Sequence, residues 1–297
     1  MENKSWPHSL EGHSGPVASV AITPDDKYIV SGSEDTTIRI WELETGREIR
    51  VLEGHTEQVN SILITPNGKF VLSGSRDNTI KVWKLETGED IRTFEGHDEG
   101  VTTLSISPDG KYVLSGSIDK TIKVWELATG IESRVLKGHS SAVNSIAISP
   151  DGKYVISGPE DGAIKVWKMA TGWEIETLKG HNAAVTTVAI SRDGKHAVSG
   201  SRDGSIRTWG LLTGRTRAFE GHSDCVKSIV VSPDGKSIVS GSEDKTIRIW
   251  ELETGKGIKT LEGHKAAVNS VAISTSGEYI VSGSSDNTIW VWKMPIQ

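Results

Sequence analysis

Residues 31–41 read SGSEDTTIRIW, and the chain repeats this phrase with few changes six more times. It returns as SGSRDNTIKVW ending at Trp83, SGSIDKTIKVW at Trp125 and SGPEDGAIKVW at Trp167. SGSRDGSIRTW, SGSEDKTIRIW and SGSSDNTIWVW end at Trp209, Trp250 and Trp292. A Gly-His pair precedes each phrase, giving His13, His55, His97, His139, His181, His222 and His264. These histidines lie 42 residues apart, except for a gap of 41 between His181 and His222. Asp35, Asp77, Asp119, Asp161, Asp203, Asp244 and Asp286 each follow their histidine by 22 residues, and the tryptophan follows the aspartate by six. The frame from His to Trp never slips, and the missing residue falls after Trp209. A fixed period of this length marks a repeat architecture.

Within each unit the pattern is β throughout. VNSILIT, KFVLSGS, TIKVW and DIRTFE are short, rich in Val, Ile and Thr, and near period-two alternation. Turn signals such as TPNG, SPDG and LETG separate them. Four short strands per unit, repeated seven times, predict an all-β, seven-bladed β-propeller with one four-stranded antiparallel sheet per blade. With no linker and no shift in composition, residues 1–297 read as a single domain. The stretch SWPHSLE before His13 aligns with the fourth strand of other units, while the chain stops at WVWKMPIQ after a third strand. Residues 5–10 are therefore expected to close the ring as the outer strand of the seventh blade, removing an open edge.

Composition narrows the class of partner. The 33 Lys and Arg nearly balance the 39 Asp and Glu, for a net charge of −6. No basic face for a nucleic-acid backbone is indicated, and no apolar run approaches the ~20 residues of a membrane span. The N-terminus lacks the apolar core of a signal peptide, and the lone Cys225 precludes an intrachain disulfide framework. These features fit a soluble cytoplasmic protein, or a soluble domain cut from a larger one; a monomer without a cofactor is the expectation.

Seven registered copies of Gly-His, Ser-x-Asp and a strand-ending Trp resemble the WD-repeat family over almost the whole chain. The dipeptide that names the family is absent: Glu42, Lys84, Glu126, Lys168, Gly210, Glu251 and Lys293 follow the tryptophans. Units this alike resemble prokaryotic members or a consensus-like design. The resemblance implies a hydrogen-bonded tetrad in each blade, in which the Trp indole donates to a Ser, the Ser reaches the His and the His reaches the Asp. The serine is assigned as the first of each SGS, namely Ser31, Ser73, Ser115, Ser157, Ser199, Ser240 and Ser282, because the second becomes Pro159 in the fourth unit. Trp41, Trp83, Trp125, Trp167, Trp209, Trp250 and Trp292 complete the sets.

Ser, His and Asp are also the parts of a hydrolase triad. A nucleophile, however, should stand once in an exposed cleft beside an oxyanion hole, and seven equivalent sets capped by tryptophan do not fit that. Seven histidines spread around a ring do not converge on a metal. The Asp-box of sialidase propellers wants a Gly two residues after the Asp, where this chain has Thr37, Thr79, Thr121, Ala163, Ser205, Thr246 and Thr288. Tyr28, Tyr112, Tyr154 and Tyr279 share one repeat position, and Cys225 reads as a bystander thiol.

Function is then expected where the repeats disagree. The residue before each tetrad Asp runs Glu34, Arg76, Ile118, Glu160, Arg202, Glu243, Ser285; the residue after the first Val of strand one runs Ala18, Asn60, Thr102, Asn144, Thr186, Lys227, Asn269. The resemblance implies peptide or protein binding on the face bearing these loops, so Arg76, Ile118, Glu160, Arg202, Glu34, Glu243, Asn60, Asn144 and Lys227 are the candidate partner-binding residues of a non-enzymatic scaffold. Two odd aromatics, Trp173 and Trp290, are further candidates, with Trp290 placed to seal the ring. The alternative is a structural or designed propeller with no evolved ligand.

Overall fold

A computed structural model describes residues 6–211, 213 and 215–295. Seven four-stranded antiparallel sheets stand in a ring. The first blade takes strands Val17–Ile22, Tyr28–Ser33, Ile38–Glu42 and Glu48–Leu52, in that order from the axis outward. Each blade's first strand packs against the first strands of both neighbours and so lines the axis. The seventh blade breaks the pattern. Its fourth strand is His8–Leu10 from the N-terminus, paired with Ile289–Lys293 through His8↔Val291, Ser9↔Trp290 and Leu10↔Ile289. The expected closure by residues 5–10 is thus made by His8–Leu10; residue 5 lies outside the described residues. Sequence repeats and blades are consequently out of step, each repeat supplying the outer strand of one blade and three strands of the next.

Alternation explains the seams. Along the second strand of blade one, Ile29 and Val30 are both fully buried, because each sheet face is covered by a neighbouring blade. Val30, Ile38, Ile40 and Leu52 of blade one pack with Val59, Ile62, Val71 and Trp83 of blade two, and an equivalent cluster recurs at every seam. The glycine of each SGS fixes the approach. A Cβ on Gly116 would stand 2.8 Å from Val143 of the next blade and 2.8 Å from Thr103. Gly116→Ala is therefore expected to destabilise by about 1–3 kcal/mol through overpacking, read as a lower denaturation midpoint at unchanged slope.

Polar groups also cross the seams. Each first strand carries a β-bulge after its first Val, which turns the following residues toward the neighbour. The Ser19 hydroxyl accepts the Ile62 N–H at 2.9 Å, Ser61 accepts Leu104 N–H at 3.0 Å, and Ser270 accepts Val20 N–H at 3.1 Å across the closure. The single missing residue also has a structural explanation. In blades one to four and six the outer strand bulges opposite the strand-ending Trp, as between Trp41↔Glu48 and Ile40↔Arg50. In blade five Trp209↔Thr216 and Thr208↔Arg217 pair without that extra residue. The deletion removes a bulge and leaves the sheet intact.

Candidate functional site

In six of the seven blades the four tetrad side chains form one hydrogen-bonded chain. In blade three Trp125 Nε1 donates to Ser115 Oγ at 2.8 Å, His97 Nε2 lies 2.7 Å from Ser115 Oγ, and His97 Nδ1 lies 2.7 Å from Asp119 Oδ2. The sets of blade one (His13, Ser31, Asp35, Trp41), blade two (His55, Ser73, Asp77, Trp83), blade six (His222, Ser240, Asp244, Trp250) and blade seven (His264, Ser282, Asp286, Trp292) reproduce it within a few tenths of an ångström. Blade five is looser, with His181 Nδ1 at 3.2 Å from Asp203 while Ser199 and Trp209 keep their places.

Proton bookkeeping fixes the direction of these bonds. An ionised carboxylate only accepts, so Nδ1 of the histidine carries the proton; Nε2 then accepts the serine hydroxyl, whose lone pair takes the indole N–H. Every donor points toward the aspartate, and each buried polar atom has a partner. The arrangement inverts a hydrolase. The serine oxygens are fully buried under a tryptophan, which leaves no substrate approach to a nucleophile.

The turn around the aspartate holds more than the tetrad. In blade three, Asp119 Oδ1 accepts the Thr121 N–H at 2.9 Å and its hydroxyl at 2.6 Å, and the second serine, Ser117, accepts the Asp119 N–H at 3.0 Å. The second serine and the threonine were not among the sequence candidates, although their recurrence was the available signal. These supports let the residue after the aspartate hold a left-handed conformation without being glycine, as at Lys120 with φ 69°.

Blade four departs from the expected tetrad. His139 Nε2 keeps Ser157 at 2.8 Å and Trp167 Nε1 donates to Ser157 at 2.7 Å, but the expected His139–Asp161 bond is not made. Asp161 Oδ2 instead accepts the Ser140 hydroxyl at 2.7 Å, and His139 Nδ1 is buried without a partner. The cause is in the sequence: Pro159 replaces the second serine and Ala163 the threonine, so both side-chain supports of the turn are lost.

Burial lowers the pKa of His97, His181, His222 and His264 despite the opposing pull of their aspartates. His139 has no bond to its aspartate, and desolvation followed by the nearby Lys165 charge lowers it to about 4. For Asp35, Asp203 and Asp286, desolvation is outweighed by donated hydrogen bonds, and each falls to about 2. Both kinds of group make the unfolded chain bind more protons than the folded one below pH 6.5, so stability rises with pH there. We expect denaturation midpoints to fall first between pH 6.5 and about 4 as unfolded histidines protonate, then between about 3.8 and 2 as tetrad carboxylates are lost. A midpoint flat from pH 7 to 4 would contradict this.

The variable positions divide into two groups. Glu34, Arg76, Ile118, Glu160 and Arg202 present exposed side chains, and Glu243 a half-exposed one. Their backbones are pinned: Glu34 N–H donates to Pro16 O, Arg76 to Gln58 O, Ile118 to Gly100 O, Glu160 to Ala142 O, Arg202 to Ala184 O and Glu243 to Cys225 O. The second group is largely committed within the ring. Asn60 donates its amide to Val101 O at 2.8 Å and Asn144 to Val185 O at 2.9 Å, each across a seam. Their amide donors serve the neighbouring blade while both side chains remain half-buried at the seam. Lys227 pairs with Glu243 at 3.0 Å. Trp173 is 75% exposed on the outer edge of blade four, whereas Trp290 stacks on Trp292 at 5.0 Å. Cys225 is buried, and desolvation raises its thiol to about 11.

Ring closure, shared seams and a repeated polar network define a seven-bladed β-propeller built from sequence repeats. The family model for "WD domain, G-beta repeat" matches residues 5–42, 46–84, 88–126, 130–168, 172–210, 214–251 and 255–293, and the chain belongs to that family, WD40. Among curated proteins it is 52% identical over 42 residues to the "Ribosome biogenesis protein BOP1 homolog" of Oryza sativa subsp. japonica, and 54% identical over 41 residues to that of Drosophila grimshawi. Each alignment is one repeat long, covering 14% of this chain and only 6% and 5% of those relatives. The likeness therefore concerns the repeat. Among the described residues no helix is long and apolar enough to cross a membrane.

Proposed function

We propose that this WD40 propeller is a non-enzymatic, monomeric scaffold of one domain that binds a peptide or protein segment on the face carrying the Ser-x-Asp turns. The tetrads hold the turns; the residues displayed on them make the contact. The observation that carries this reading is the contrast at one repeat position, where the backbone is pinned in all six candidate blades and the exposed side chain changes in charge and size. Arg76 and Arg202 offer bidentate donors to carboxylates, and Ile118 between them, 37% exposed, is an apolar anchor. Arg76 is only loosely engaged, 3.9 Å from Glu57. A mixed-charge or acidic segment suits this ring. The cytoplasm is the proposed compartment on composition alone; the one-repeat likeness to ribosome biogenesis proteins does not single out a partner.

Reversing both arginines, Arg76→Glu with Arg202→Glu, is expected to abolish capture of a purified partner while leaving the melting curve within about 0.5 kcal/mol of the parent, as for other solvated surface sites. Binding by the parent should also weaken as salt rises. Survival of capture in the double reversal, with loss on Trp173→Ala, would place the contact on the outer edge of blade four and overturn the assignment.

A further inference from the structure

The outer wall of the ring carries a belt of ion pairs that stops after blade four. In blades one to four a cation on the third strand meets a carboxylate on the outer strand: Arg39 with Glu48, Lys81 with Asp90 at 2.6 Å, Lys123 with Glu132 at 2.5 Å, and Lys165 with Glu174 at 2.5 Å. From blade two to blade four the same cation lies over the strand-ending tryptophan, 5.8–5.9 Å from the ring centre. Blades five and six keep the cation and the tryptophan but not the acid. Arg207 lies 6.0 Å over Trp209, and Arg248 lies 6.0 Å over Trp250. Opposite those tryptophans stand Thr216 and Gly257 in place of the carboxylate. Among the described residues neither guanidinium has an ion pair, although both side chains are partly buried; the Nε of each is buried without a partner, as is that of the ion-paired Arg39. In blade seven Trp290 takes the place of the cation and Trp6 the repeat position of the acid.

In blade six the missing side chain leaves a notch of about 300 Å³, bounded by Arg248, Trp250, Gly257 and Lys259. A Cβ added at Gly257 would meet nothing nearer than Trp250 at 4.0 Å, so the space is open. The outer strand here, Gly257–Leu261, carries Lys259 and no acid, and Lys256 precedes it. A guanidinium held over an indole and shielded from water favours a bidentate carboxylate.

We propose that this notch is a binding site for a carboxylate side chain of an acidic partner segment, which completes in trans the ion pair that blades one to four make in cis. Arg248 is the clamp; Arg207, over Trp209 and with Thr216 in place of the acid, offers a second position of the same kind on blade five. The site lies on the outer wall and is separate from the turn face proposed above.

The probe is capped hexaglutamate, titrated into the intact ¹⁵N-labelled chain at low salt while the Trp250 indole and Arg248 Nε resonances are followed. Both should shift saturably, and Arg248→Gln should remove the shift of Trp250. Gly257→Glu fills the notch from within; it should raise the melting temperature in an Arg248-dependent way and weaken the peptide by about tenfold or more. An unchanged titration in Gly257→Glu would overturn the proposal. So would inorganic phosphate moving the same resonances at lower concentration than the peptide, which would make the notch a free-anion site. Arg76→Glu with Arg202→Glu should leave this titration intact, which separates its outcome from that of the turn-face reading.

Discussion

Removal of residues 1 to 10 is expected to lower the melting temperature sharply and to promote self-association. The strand His8–Leu10 is short, but it supplies Leu10, 4% exposed, to a core shared with Val281, Ile289 and Val291 of blade seven and with Val17, Val20 and Trp41 of blade one. Trp6 packs on the same cluster, 5.1 Å from the Tyr279 ring. Loss of a buried leucine alone costs about 2–5 kcal/mol. Deletion also bares the edge of Ile289–Lys293, whose free N–H and C=O groups can pair with another chain. The measurement is a thermal melt with light scattering at several protein concentrations. An unchanged melt and a clean monomer would contradict the closure.

The second large effect is expected at His97→Ala. The imidazole is 6% exposed and bridges Ser115 to Asp119. Its removal leaves the serine hydroxyl and one carboxylate oxygen short of a partner and opens a cavity behind Trp125. Unsatisfied buried groups of this kind cost about 1–3 kcal/mol, read by denaturant titration. His139→Ala in blade four should cost less, because there only the serine loses a partner. Equal losses at the two sites would show that the aspartate bond contributes nothing.

The fold was open to reading because its determinants recur. A period that slips only once, a glycine wherever the next blade's valine approaches, and a Trp six residues after every Asp need no tertiary information. The N-terminal strand was visible by the same logic, since SWPHSLE aligns with an outer strand. Three features were not. Asn60 and Asn144 vary between units like ligand contacts, yet their amides also bond the neighbouring blade across the seam. The loss of the His139–Asp161 bond depends on Pro159 and Ala163 acting together, and neither alters the tetrad residues themselves. The unpaired Arg248 becomes apparent only when the strand register sets Gly257 opposite Trp250, because the two residues of each cis pair lie nine apart and the bulge between them hides their alignment.

The repeated Ser, His, Asp and Trp hold the turns, and we propose that they perform no chemistry. Blade four supplies its internal control. Asp119→Ala removes a carboxylate that bonds His97, Thr121 and the Asp98 N–H, while Asp161→Ala removes one already detached from its histidine. Parallel urea titrations should show a loss of about 1–3 kcal/mol for Asp119→Ala and a clearly smaller loss for Asp161→Ala, at equal slopes. Indistinguishable losses, or a fully stable Asp119→Ala that has lost a hydrolytic turnover present in the parent, would contradict it.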